Sequence, residues 1–256
     1  MKSFLTGKIV FFFYILALYS NQISDFLPED ILAGKYNPDQ VKEFELVPAQ
    51  YSLQRGIFIN SQTLKSFIEM SNAAKKDGFN IFIISGVRSF SAQKAIWEGK
   101  FNGSRFVEGN NLKELIPDQE ERALKILEYS SMPGTSRHHW GTDIDIGFNI
   151  KESGKMLSNE VYKHGQGKSF YRWMEEHSLK YGFCQPYKNS PENRKRNIQR
   201  GYQEEKWHWS YKPIAKDYLK LFIQKASRLK PSGFDGSSAS ANLYMDYVEN
   251  IHKDCL

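Results

Sequence analysis

The chain has 256 residues, 40% of them hydrophobic and 14% aromatic, with a formal net charge of +6. Such length and apolar content exclude a disordered or low-complexity chain and fit one domain of ordinary size with appendages. Two cysteines, Cys184 and Cys255, cannot form a four-thiolate metal site, and the sequence leaves one disulfide and two unpaired thiols as open alternatives.

The chain opens with Lys2 and Lys8 before an apolar run over residues 9–20. That run falls short of the roughly 20 residues a membrane span needs, and it has the layout of a secretory signal. Export is therefore expected, with residues 1–20 as the signal peptide. Leu18-Tyr19-Ser20 lacks the small residue expected three places before a cut, so an uncleaved N-terminal anchor is the alternative. Removing residues 1–20 takes away Lys2 and Lys8 and leaves +4. That excess suits work near anionic envelope polymers, and equally a plain solvated surface. Residues 21–50, with Pro28, Pro38 and Pro48, read as a polar leader draped over the domain.

From Asn60 or Ser61 as cap, Leu64, Phe67, Ile68 and Ala74 recur at helical spacing until Gly78. Residues 80–86, NIFIISG, read as a buried strand. Helices are expected over 91–100 and 117–131, the second opening on Pro117 with acids in its first turns. Residues 142–148, TDIDIGF, alternate as a strand does. A helix over 169–183 ends at Gly182, KWHWSY at 206–211 reads as a strand, and Pro213 opens a last core helix to Ser227. Past it, within 228–256, KPSGFDGSSASA (230–241) looks like a linker by composition, and 241–252 form an amphipathic helix with Leu243, Tyr244, Tyr247, Val248 and Ile251 on one face. Interleaved helices and few, short strands predict an α+β domain over 51–227 with a small, mainly antiparallel sheet.

Two stretches carry the chemistry. In PGTSRHHWGTDIDIG, His138 and Asp145 lie seven residues apart with Gly141 between them. A glycine turn entering a strand can fold the histidine back over the strand's first inward side chain, so that both face one point, as metal ligands must. An ordinary polar turn would have the same spacing. In EEKWHWSY, Glu205 precedes His208 by three residues, and strand alternation would put them on opposite faces. Both can serve one site only if Glu205 lies in the preceding loop; otherwise the segment is an aromatic edge strand. Two histidines and a carboxylate are ligand types zinc takes in catalytic sites, leaving a position for water, and a separate Glu205 supplies a general base. Arg88, on the turn after the first strand, can pair with a carboxylate or a developing oxyanion.

These stretches, in this order, resemble the zinc D-alanyl-D-alanine peptidases, a family of D,D-carboxypeptidases, D,D-dipeptidases and phage endolysins with the hedgehog domain as a distant relative. Ser136, His138, Gly141 and Asp145 fall on its first fingerprint, and Glu205, Trp207 and His208 on its second. Ser85, Gly86, Arg88, Ser89 and Gln93 fall on the third. The resemblance spans about residues 51–225 and implies a hedgehog/D,D-peptidase fold with one zinc ion on His138, Asp145 and His208. It makes Glu205 the base and Arg88 the oxyanion stabiliser, with Ser136 and Gln93 seating the substrate. Asp143 stands where the family has a small residue, either to orient a ligand or to change what substrate fits, and Val87 replaces the usual aromatic. His139 reads as a surface histidine or a substrate donor. The implied function is an exported D,D-carboxypeptidase acting on peptidoglycan stem peptides that end in D-Ala-D-Ala. The alternatives are an L,D- or D,D-endopeptidase, a D,D-dipeptidase, or a non-catalytic zinc domain that binds cell wall or a protein partner. The basic run with Arg194, Lys195, Arg196 and Arg200 lacks the pattern of a nucleic-acid site, so no nucleic-acid partner is expected.

Overall fold

The computed structural model describes residues 28–149, 156–189 and 201–256. The apolar run over 9–20 and the basic run from Arg194 to Arg200 lie outside them. At the centre is a four-stranded sheet made of β3 (Ile81–Ser85), β4 (Asp143–Phe148), β5 (Phe183–Cys184) and β6 (His208–Tyr211), in the order β3-β4-β6-β5 and antiparallel throughout. A second, two-stranded sheet pairs β1 (Phe44–Leu46) with β2 (Phe58–Asn60). This is the α+β architecture the alternation predicts; the short β1, β2 and β5 carry too little pattern to be read from sequence.

Alternation along β4 and β6 decides where the core lies. Ile144, Ile146 and Phe148 point to one face with Trp209, where they meet Leu64, Phe67, Met70 and Ala74 of α2 (Ser61–Lys76). The same cluster takes in Phe170, Trp173 and Met174 of α6, the helix Gly165–His177. Asn60 caps α2 as expected, its side chain accepting from the backbone N–H groups of Gln62 and Thr63. Beyond the other face, Trp97 and Phe101 of α3 (Phe90–Phe101) pack with Ala123, Ile126 and Leu127 of α5 (Gln119–Leu127) and with Leu219 and Phe222 of α7 (Lys212–Gln224). The polar face of β4 and β6 lies between these two clusters, and it carries Asp143, Asp145, His208 and Ser210.

Several boundaries differ from expectation for local reasons. Asp118 caps α5, so Pro117 stays outside the helix, and its carbonyl accepts from Arg122. The helix expected to reach Gly182 ends at His177 and continues as a 3-10 turn to Tyr181, closed by Gly182 at φ +79°. The strand expected over 206–211 starts at His208, because Lys206 and Trp207 form a turn. Of the segment read as a leader, residues 28–50 are described: Ile31 and Leu32 of the helix Pro28–Ala33 (α1) are buried, and β1 belongs to the same segment.

The stretch read as a linker is packed. Phe234 is buried against Trp97 with ring centroids 5.4 Å apart, and Trp97 Nε1 donates to the Asp235 carbonyl. The amphipathic helix shortens to Tyr244–Glu249, and its apolar face joins the core through Tyr244, Tyr247 and Val248. Cys184 and Cys255 form a disulfide across a sequence separation of 71 residues, which ties the tail to β5. Loop-closure entropy for a cross-link of that span is about 4 kcal/mol. Replacing both cysteines by serine is expected to lower the unfolding free energy in urea by about that amount. A reductant should then destabilise the natural chain and leave the double variant unchanged.

Candidate metal centre

The turn that carries the first histidine is built by its neighbours. Ser136 caps a short 3-10 turn over Arg137–Trp140, its Oγ accepting from the His138 N–H at 3.3 Å, and Gly141 closes the turn at φ +68°. A Cβ on Gly141 would lie 2.7 Å from the Phe44 ring and 3.0 Å from the Asn60 backbone nitrogen, so only glycine fits that approach. The chain therefore doubles back and sets His138 over the start of β4. In β4 and β6, Asp145 is the register partner of His208 and Asp143 that of Ser210. Glu205 lies in the loop before β6, as the alternation argument requires. Its backbone is pinned there: Glu205 N donates to the Tyr187 carbonyl, and Gln185 Nε2 donates to the Glu205 carbonyl, at 3.0 and 3.1 Å.

The ring contacts fix how each histidine presents its lone pair. His138 Nδ1 lies 2.8 Å from the Gly86 carbonyl, which can only accept, so Nδ1 carries the proton and Nε2 is bare. That Nε2 faces Asp145 Oδ1 at 3.5 Å, and both atoms are buried without a hydrogen-bond partner among the described residues. His208 Nε2 donates to Asp143 Oδ1 at 3.0 Å, which leaves its Nδ1 3.5 Å from the same Asp145 Oδ1. His138, Asp145 and His208 thus bring three ligand atoms within 4.8 Å of one another. Such a convergence in a buried place needs positive charge between the atoms, which a proton on His208 Nδ1 supplies in the metal-free chain and a metal ion would supply in its place. Bonds of about 2.0–2.1 Å in a tetrahedron put ligand atoms ~3.3 Å apart, close to the two 3.5 Å separations, and the donor set is one zinc favours. The residues present fit the metal.

Around these atoms the charges are arranged in pairs. Asp143 receives the Arg137 Nε–H at 2.8 Å, the Thr142 hydroxyl at 2.7 Å and the Ser210 hydroxyl at 3.0 Å, and all of these groups are buried. Asp143 therefore orients His208, and Arg137 compensates its charge; its carboxyl is held well below the usual range although burial alone would raise it. Burial also pushes Asp145 up, but the charges of His138, Arg88 and His208 hold it near 2. Burial lowers His208, yet its bonds to Asp143 and Glu205, with the charges of Glu205 and Asp145, raise it to about 9.

Arg88 reaches the site as the sequence suggests, its Nη2 3.3 Å from Asp145 Oδ2. Gln93 lies behind it: Gln93 Oε1 accepts from Arg88 Nη1 at 3.2 Å, and Nε2 donates to the Ser131 carbonyl. Ser136 lines a small polar cavity with His138, His208, Glu205 and Arg88. His139 is neither at the surface nor in the cavity. It is fully buried, its Nδ1 donating to the Arg88 carbonyl at 2.6 Å and its Nε2 accepting from the Gly134 N–H, and burial keeps its pKa near 3. It joins the Arg88 turn to the metal-site turn. Arg137, Ser210 and Tyr187, whose ring centroid is 4.8 Å from that of His208, escape the sequence reading. Ser210 had a signal, since it lies two places beyond His208 on the same strand face.

Residues 56–214 match the family model described as VanY, D-alanyl-D-alanine carboxypeptidase. The chain belongs to the VanY D-alanyl-D-alanine carboxypeptidase family. Among relatives, it is 28% identical over 201 residues to the putative carboxypeptidase YodJ of Bacillus subtilis, covering 77% of this chain and 59% of that one. It is 26% identical over 186 residues to a D-alanyl-D-alanine carboxypeptidase of Enterococcus faecalis, covering 71% and 57%. The chain thus spans less than two thirds of the length of these relatives. Its fold is similar to that of the LdcB LD-carboxypeptidase, with a TM-score of 0.51, 23% identity, and coverage of 83% of this chain and 86% of that one.

In this VanY-family chain, Asp143→Ala is expected to weaken zinc binding about 10- to 100-fold by freeing the His208 ring, as read by competition with a chromophoric chelator. The raised pKa of His208 gives a second expectation. Below about 9 the metal-free ring holds a proton at Nδ1, which a metal must displace, so zinc binding at pH 7 releases a proton and affinity rises with pH toward 9. Calorimetry in buffers of different ionisation enthalpy measures that release.

Proposed function

We propose that this chain is an exported, zinc-dependent D-alanyl-D-alanine carboxypeptidase that removes the terminal residue from peptidoglycan stem peptides, with one zinc ion per chain. The observation that carries the reading is Glu205. Its Oε2 stands 3.2 Å from His208 Nδ1, beside the three convergent ligand atoms but outside that set, and it lines both the small cavity and an adjoining cleft of about 640 Å³. A domain that only held metal for binding or structure would have no use for a carboxylate there. The family and the printed names of its relatives support the substrate class. The Cys184–Cys255 disulfide supports export, because such bonds persist in oxidising compartments.

Held by His138, Asp145 and His208, zinc would polarise the scissile carbonyl and acidify a water. Glu205 takes the proton of the attacking water and returns it to the leaving amine, restoring its own charge. Arg88 lines both cavity and cleft, and its buried Nε has no hydrogen-bond partner among the described residues. It can therefore meet the negative charge that develops on the carbonyl oxygen. Gln93 and Asp145 fix the guanidinium plane beforehand, so little reorganisation is needed during the reaction. The hydroxyls of Ser136, Ser130 and Ser131 border the cavity that would take the leaving residue, which suits a small polar product.

Mass spectrometry of defined stem peptides incubated with zinc-loaded protein tests the reading. Release of one D-alanine from a pentapeptide is expected, whereas release only from a tetrapeptide would identify an L,D-specific enzyme, and no release from any stem peptide would sink the hydrolytic reading. Glu205→Ala should lower kcat by about 10²–10⁴ while zinc content is unchanged.

A further inference from the structure

The cleft beside the metal centre contains a lysine with no carboxylate partner among the described residues. Four of its five acidic lining residues have a lysine or arginine partner. Glu108 pairs with Lys125 at 3.0 Å, Glu160 with Lys163 at 2.5 Å, and Glu204 with Lys206 at 3.9 Å. Asp145 pairs with Arg88 at 3.3 Å, and Glu205 stands 3.2 Å from the ligand nitrogen His208 Nδ1. Lys100, near the end of α3, lines the same cleft and has no carboxylate within ion-pair distance among the described residues. Its Nζ donates to Ser130 Oγ at 2.6 Å, and Ser130 in turn borders the small cavity that holds Glu205, His138 and His208. An ammonium has three N–H donors, and this contact uses one.

A half-buried ammonium satisfied by a single neutral hydroxyl is an uncompensated charge. Burial lowers its pKa to about 8, with the charge of Glu205 opposing that shift, so the group keeps its charge at neutral pH while giving up much of its hydration. Such a group gains most from an anion that supplies two acceptor oxygens from within the cleft. A phosphate would bring more charge than one ammonium neutralises, against a wall of carboxylates, whereas a single carboxylate balances Lys100 one for one.

We propose that Lys100 and Ser130 form a carboxylate-binding site that selects peptides by an anionic group, so that Lys100 is a specificity-determining residue of the cleft. The inference rests on the peptidase reading for its ligand class. Two positions on a peptide can supply the group: the carboxylate of its last residue, or one carried by a side chain upstream of the scissile bond.

The test uses uncleavable peptides in which a ketomethylene unit replaces the final amide, bound to the zinc-loaded full chain and measured by calorimetry. One peptide has both carboxylates, one is amidated at its C-terminus, and one is amidated at its acidic side chain. The full acid is expected to bind about 10-fold or more tightly than one of the two amides, and the amide that loses affinity identifies the carboxylate Lys100 holds. Lys100→Met should abolish that preference and leave affinity for the weaker amide unchanged, while Lys100→Arg keeps most of it. Zinc content and melting temperature of each variant control for folding. Equal weakening of all three peptides by Lys100→Met, or no change in any, would overturn the proposal. Turnover of cleavable stem peptides separates the two readings. A Lys100-dependent preference without any hydrolysis would remove the enzymatic reading and keep this site; hydrolysis without the preference would do the reverse.

Discussion

The antiparallel pairing of β4 with β6 is the constraint on which the metal centre depends. It sets Asp145 opposite His208 and Asp143 opposite Ser210, so that every second residue of two strands from distant parts of the chain contributes to one polar row. The intervening residues, Ile144, Ile146 and Trp209, anchor the same strands in the core. A slip of one residue would turn the ligands into the core and the apolar side chains into the site. The energy of apolar burial therefore fixes the register, and the register sets two of the three ligands, Asp145 and His208, opposite each other.

Placing so many ionisable groups between two hydrophobic clusters would be prohibitive without compensation. The solution is local pairing: Arg137 with Asp143, Arg88 with Asp145, and His208 between Asp143 and Glu205. Asp143 is thereby half of a charge-balanced unit with Arg137. The pair holds His208 Nε2 by its proton, so that Nδ1 is the nitrogen turned toward the metal site. His139 works in the same direction without any charge, because a neutral buried ring can donate to the Arg88 carbonyl and accept from the Gly134 N–H at once.

Support for the second ligand strand comes from the end of the chain. Tyr247 packs on Tyr202, Tyr202 on Tyr187 and Tyr187 on His208, with ring centroids 4.8–5.1 Å apart. The disulfide and the bond from His252 N to the Pro186 carbonyl hold the tail against the segment that pins Glu205. Residues 228–256, read from composition as a linker and an amphipathic helix, thus back the wall of the site through Tyr247 and Tyr202.

The sequence by itself marked the candidate residues: spacing left His138, Asp145, His208 and Glu205 open between a metal site and an ordinary polar turn or edge strand, and the resemblance to the zinc D-alanyl-D-alanine peptidases gave them their roles. It also determined the main elements, since α2, β3 and β4 have strong periodicity and clear caps. Only the tertiary structure decided what Asp143, His139, Gln93 and Lys100 do. Their partners, Arg137 with Ser210, the Arg88 carbonyl, the Arg88 guanidinium and Ser130, are set by strand pairing and helix packing across up to 67 residues of chain. A polar side chain has the same local signature whether water or another buried group satisfies it, and only the packed fold distinguishes the two.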